Sequence, residues 1–203
     1  MKNKFSKKIN ADKDGYKMGC PEIVARHIAG RIGHTDILDL CCGVGMNTIQ
    51  FAKQSKSVIA VDNNNKRLNH ARKNAKLYGV EKKIKFIQGD VMNENLLKSV
   101  KADVVYMDPD WAMPKTPKTQ WVLNVDNTQP PLDELYKLVK KTVTSDIVVR
   151  IPRTIDLDQI KNLDDCEIEN IYVDNELKFR IVYFGSLMKK DGQNDIRFSS
   201  EKI

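Results

Sequence analysis

Four short stretches of this chain put carboxylates where a ligand could meet them. Asp39-Leu40-Cys41-Cys42-Gly43-Val44-Gly45 joins an acid to a glycine pair, and Val61-Asp62 ends an apolar run. Gln88-Gly89-Asp90-Val91 is a polar turn, and Asp108-Pro109-Asp110-Trp111 closes the run Asp103–Met107 with two acids, a proline and an indole. The glycine pair lets backbone pass close to a ligand, but alone it is a weak signal. A dinucleotide fingerprint would place a third glycine where Thr48 stands. Asp39 would repel a pyrophosphate and suits an ammonium group instead. Asp62 follows 23 positions later (62 − 39), near the spacing at which an acid grips ribose hydroxyls. Asp90 beside apolar Val91 can hold and cover a purine ring. Each stretch also has a plain structural reading: an α/β turn, a helix-capping Asp62, a polar turn, and a cored tryptophan.

Their order and spacing together match an adenosine that carries a cationic amino-acid tail, which is S-adenosylmethionine. Asp39 would face its ammonium, Gly43 and Gly45 its tail, Asp62 its ribose and Asp90 its adenine amine. The expected donor site comprises Asp39, Cys41, Gly43, Gly45, Asn47, Thr48, Asp62, Asn63, Asp90, Val91 and Asp108. The fourth stretch then lies beside the donated methyl. An amine conjugated to a ring is a poor nucleophile, because its lone pair is delocalised. A carboxylate and a backbone carbonyl accepting its two hydrogens favour a pyramidal nitrogen with the lone pair aimed at the methyl. An aromatic fixes the plane of the base by stacking. Asp108, the Pro109 carbonyl and Trp111 are the expected catalytic set. Trp111, Asp110 and Arg153 are the expected substrate contacts, and no metal is expected. Arg153, Lys115 and Lys118 suit phosphate, or serve equally as solvated charges.

These positions need a frame, and the periodicity supplies one. Apolar runs at Ile37–Cys41, Ser57–Val61, Ile84–Gln88, Asp103–Met107 and Ile147–Ile151 predict strands. Helical spacing between them covers Pro21–Arg31, Met46–Lys53, Lys66–Tyr78, Glu94–Val100, Pro131–Val143 and Leu157–Leu163. Glu167–Val173 and Lys178–Phe184 alternate around Asp174-Asn175-Glu176, as in a hairpin. The expected fold is a Rossmann-like α/β domain: a doubly wound, mostly parallel, seven-stranded sheet with one antiparallel strand. In such sheets ligands bind at the carboxyl ends of the strands, where the four acidic stretches fall. Residues 108–130 form a long irregular connection, the kind that is usually functional or disordered.

The chain of 203 residues suffices for one core. Residues 1–14 are expected to be a basic, mobile segment, 15–188 the methyltransferase domain, and 189–203 a polar tail. No apolar run reaches membrane-spanning length, and the basic start lacks the apolar stretch of a secretory signal. The expected location is cytoplasmic, or nuclear in a eukaryote. Cys20, Cys41, Cys42 and Cys166 lack metal-site spacing and read as plain thiols. A net charge of +7 fits either solubility or a polyanionic partner such as RNA.

Several of these stretches together resemble the catalytic domain of trimethylguanosine synthase, an RNA cap guanine-N2 methyltransferase family. The resemblance runs through Pro21–Ile32, Cys42–Ala52, Val58–Asp62, Ala71–Val80, Lys101–Pro114, Ile151–Ile160 and Tyr183–Leu187. It implies the class I methyltransferase fold, S-adenosylmethionine as donor, no metal, and an RNA or nucleotide substrate methylated on a guanine amine. It assigns Asp39, Asp62 and Asp90 to the donor and Trp111 to stacking 7-methylguanine. It makes Tyr16–Pro21 a cover over the donor. The family's Pro-Pro-Trp-Gly-Gly-Pro is here Pro109-Asp110-Trp111-Ala112-Met113-Pro114. A related enzyme acting on adenine N6, cytosine N4 or a protein amide, and a non-catalytic RNA-binding module, are the other readings.

Overall fold

The structure is a computed structural model that describes residues 4–111 and 124–200. Eight strands form one sheet: β1 Asp36–Leu40, β2 Ser57–Asp62, β3 Ile84–Gln88, β4 Val104–Met107, β5 Ile147–Pro152, β6 Cys166–Val173, β7 Glu176–Phe184 and β8 Gly192–Phe198. Their order is β3-β2-β1-β4-β5-β7-β6-β8. Only β7 runs against the rest: it is antiparallel to both β5 and β6, while every other pairing is parallel.

The helices are α1 Lys13–Met18, α2 Glu22–Ile32, α3 Met46–Gln54, α4 Asn65–Tyr78, α5 Glu94–Lys98, α6 Leu132–Thr142 and α7 Leu157–Lys161. Alternate strand residues feed opposite faces. Leu38, Leu40, Val105, Met107 and Val149 meet Leu135, Tyr136 and Val139 of α6 on one side. Ile37, Val104, Tyr106 and Val148 meet Val24 and Ile28 of α2 and Phe51 of α3 on the other. The chain winds outward both ways from the β1–β4 junction. Such a switch point leaves a crevice at the strands' carboxyl ends. Local signals set the helix ends there. The Asn64 side chain accepts from the Lys66 and Arg67 amides to start α4, and left-handed Gly79 ends it.

Two expectations need correction. The sheet has eight strands, not seven, because Gly192–Phe198, expected as part of a polar tail, pairs with β6. Its polar and charged residues face solvent, which suits an edge strand. Only Ile196 and Phe198 reach the core, so the sequence carried little apolar alternation to announce it. From residue 4 onward the basic N-terminal segment packs against the domain rather than standing apart from it. Phe5 is buried against Val44, Met46 and Ile49. The Ser6 amide and hydroxyl donate to buried Glu22, and the Asn10 amide donates to Asn74. Those partners lie 16 and 64 positions away, out of reach of a local reading. Among the described residues no helix is long and apolar enough to cross a membrane.

Candidate active site

The tip of β1 carries Asp39, which is 1% exposed. The Thr48 hydroxyl, on the first turn of α3, donates to its Oδ2. Its Oδ1 is buried with no hydrogen-bond partner among the described residues. Burial pushes this carboxyl up to about 8, the Thr48 hydrogen bond opposes the rise, and Asp108 and Asp62 add to it. An orphan carboxylate oxygen beside a helix start is a ready acceptor for an ammonium group. The loop that follows is left-handed at Cys41, Gly43 and Gly45, with φ of 63°, 56° and 84°. At Gly45 a Cβ would stand 3.0 Å from that of Ala71, so glycine is required there for space as well as for φ.

At the tip of β2, Asp62 closes this loop. Its Oδ2 accepts from the Gly43 amide at 2.8 Å, and its Oδ1 from the Asn64 amide at 2.9 Å. Burial raises its carboxyl and these two bonds lower it, with burial winning. Asn47 donates to the Tyr106 hydroxyl at 3.0 Å and keeps a buried, unpartnered Oδ1. The Cys41 thiol is held well above its usual range by burial and the surrounding acids, which makes it a poor nucleophile.

The β4 tip forms the other half of the site. Parallel pairing aligns Met107 with Val149, and one step further Asp108 stands level with Arg150. Arg150 Nη1 donates to Asp108 Oδ2 at 2.8 Å and to the Met18 carbonyl at 3.1 Å. No described residue donates to the other Asp108 oxygen. Burial raises the Asp108 carboxyl, and Arg150 is the chief opposing influence. The same guanidinium lies 4.5 Å from the Trp111 ring centre and 4.3 Å from that of Phe179. Arg150 was not foreseen. Within Ile147–Pro152 it reads as one polar residue in a buried strand, and only the register with β4 gives it a role. Asp110 is anchored by mutual backbone hydrogen bonds with Gln129, and its carboxylate lies 3.4 Å from Arg67 of α4.

A cavity of about 460 Å³ joins the two halves. Cys41, Gly43, Asp108, Pro109, Asp110, Trp111 and Arg150 line it from the strand ends and the loops that follow them, Asn47 from α3, Arg67 from α4, and Asp14, Lys17 and Met18 from α1. Asp39, Gly45, Thr48 and Asp62 stand just behind this lining and shape the loop. The remaining foreseen residues lie elsewhere. Asp90 is exposed at the β3 tip, where its Oδ1 accepts from the Met92 amide, and Val91 is in the core. Asn63 is exposed beside Asp62, and its carbonyl accepts from Gln88. Arg153 does not line the cavity: it binds Glu176 and the Leu177 carbonyl, because β7 returns alongside the end of β5. Ala112, Met113, Lys115 and Lys118 lie outside the described residues.

A doubly wound sheet with an acid-glycine loop at its switch point and an orphan acceptor for an ammonium group defines the class of Rossmann-like, S-adenosylmethionine-dependent methyltransferase folds. A solved structure from Porphyromonas gingivalis W83, described as a presumptive methyltransferase, superposes with a TM-score of 0.70 at 19% identity, over 87% of this chain and 43% of that one. Residues 34–187 match the model of the RNA cap guanine-N2 methyltransferase family, and the chain belongs to that family. Trimethylguanosine synthase of Saccharomyces cerevisiae is 31% identical over 129 residues, 61% of this chain and 40% of the yeast protein. That of Schizosaccharomyces pombe is 30% identical over 144 residues, 68% and 58% respectively. This chain thus spans about half the length of those relatives.

Proposed function

We propose that the protein methylates the exocyclic N2 amine of a guanine in RNA or a nucleotide, using S-adenosylmethionine. The observation that carries this reading is the pairing, in one cavity, of the Asp108 oxygen that takes no hydrogen bond from described residues with the Trp111 ring. The bound donor supplies an electrophilic methyl on a sulfonium. Asp39 and Asn47 offer buried oxygens without partners among the described residues to its amino-acid tail, and Asp62 at the tip of β2 takes the ribose hydroxyls. Asp90 at the β3 tip remains the adenine candidate. Trp111 stacks the guanine. Asp108 accepts one hydrogen of the amine and the Pro109 carbonyl the other. Holding both hydrogens draws the nitrogen lone pair out of conjugation and directs it toward the methyl. As the nitrogen–methyl bond formed, the methyl–sulfur bond would break with its electron pair left on sulfur, giving S-adenosylhomocysteine, and Asp108 would stabilise the positive nitrogen and take up the proton it sheds.

The test is product identity. Protein, labelled donor and either total RNA or the four nucleoside triphosphates are incubated, digested to nucleosides, and analysed by mass spectrometry. N2-methylguanosine is the expected product. Label confined to N6-methyladenosine or N4-methylcytosine would replace guanine by another planar amine. Absence of donor binding in calorimetry would favour a non-catalytic RNA-binding module.

A further inference from the structure

We propose that Arg150 sets the substrate class of this site: the cavity accepts a neutral guanine and discriminates against the permanently cationic 7-methylguanine. The proposal rests on the guanine-N2 reading above and deepens it. A cationic base gains affinity on an indole because the ring face is negative. Here that attraction is already in use, since the Arg150 guanidinium sits 4.5 Å from the Trp111 centre. A base entering the cavity meets either the opposite face of the indole or the guanidinium itself. In both cases it shares its stack with a fixed cation. Two charges on opposite faces would be about 8 Å apart, about one Debye length at physiological salt, so their repulsion is reduced but not abolished.

Nearby acids do not restore the preference for a cation. Asp108 is paired with Arg150 at 2.8 Å, and Asp110 lies 3.4 Å from Arg67. On the facing wall Asp14 and Lys17 contribute one charge of each sign to the lining. Lys4 adds positive charge: its ammonium donates to the Tyr16 and Lys17 carbonyls, and burial, followed by Arg150, lowers its pKa to about 8. Arg150 is also fixed in place. It is 7% exposed and held by Asp108, the Met18 carbonyl and two aromatic rings, so it does not swing aside when a base arrives.

The experiment is calorimetry of the full chain saturated with S-adenosylhomocysteine, titrated with GTP and with 7-methyl-GTP. GTP is expected to bind at least as tightly as 7-methyl-GTP. Tighter binding of 7-methyl-GTP than of GTP, or binding of neither nucleotide, overturns the proposal. Arg150→Met should shift the ratio of the two affinities toward 7-methyl-GTP by roughly tenfold, and Arg150→Lys, which keeps a cation, should stay near the wild-type ratio. An unchanged ratio in a folded Arg150→Met protein also overturns it. If Arg150→Met does not fold, the wild-type ratio still decides. Methyl transfer to ATP or CTP, and to neither guanine nucleotide, would sink the guanine reading separately, while the binding ratio would still judge Arg150.

Discussion

The Gly43 amide donates to the Asp62 carboxylate at 2.8 Å, so the tip of β2 holds the loop that follows β1. If Asp62 also holds the donor ribose as proposed, removing it should show two effects. Asp62→Ala is expected to weaken S-adenosylmethionine binding by about tenfold or more, from the loss of charge-assisted bonds to the ribose. It should also cost about 1–3 kcal/mol of stability, because the Gly43 and Asn64 amides lose their acceptor. Calorimetry with the donor and chemical denaturation read the two separately. Unchanged donor affinity would remove Asp62 from the donor site.

If Asp39 holds the donor's ammonium as proposed, donor binding should depend on pH. Its carboxyl titrates near 8, raised mainly by burial, so without donor it is protonated below that pH. The native state then keeps a proton that the unfolded chain releases near pH 4. The contribution of this group to stability is full below the ordinary carboxylate range and declines as pH rises toward 8. Affinity for a cationic ammonium runs the other way, falling by up to about tenfold for each pH unit below 8. Asp39→Asn should flatten both dependences. Denaturation and donor titrations at pH 6 and 8 test this, and identical slopes in wild type and variant would refute it.

Asp108 and Trp111 should separate in kinetics. Asp108→Asn keeps the shape and one acceptor oxygen but removes the negative charge that would stabilise the developing positive nitrogen. Turnover should drop on the order of a hundredfold with little change in base affinity. It should also lower stability, because Arg150 loses the partner of a buried pair, a loss on the order of 3–5 kcal/mol where burial is complete. Trp111→Ala should instead weaken base binding by roughly 1–3 kcal/mol, with Trp111→Phe intermediate. If both Asp108→Asn and Trp111→Ala stay folded and fully active on the identified substrate, the β4 tip is only a turn.

Gly45→Ala should destabilise the fold by roughly 1–3 kcal/mol, through a left-handed φ that disfavours a side chain and contact with Ala71 at 3.0 Å. Thermal unfolding measures this. Gly79→Ala provides the comparison, since its φ is similarly positive at 72° but a Cβ there meets nothing within 4 Å. Its smaller loss would isolate the packing part.

The alternation of apolar strands with helical spacing determined the core of the sheet, because periods of two and 3.6 are local properties of the chain. Acids at three strand tips and the glycine pair located the cavity, because a parallel sheet delivers its strand ends to one edge. Other features needed tertiary structure. β8 has little apolar pattern of its own and exists as a partner of β6. Phe5, Ser6 and Asn10 became part of the domain only through contacts with Val44, Glu22 and Asn74. Arg153 is of the right type at the right strand end, yet β7 takes its side chain. Arg150 shows the division most clearly. Its partner Asp108 is 42 positions away, and nothing in Ile147–Pro152 names it. The register of β4 against β5 sets the two side chains level on the same face, and burial in that position turns a strand arginine into the counter-ion of the site.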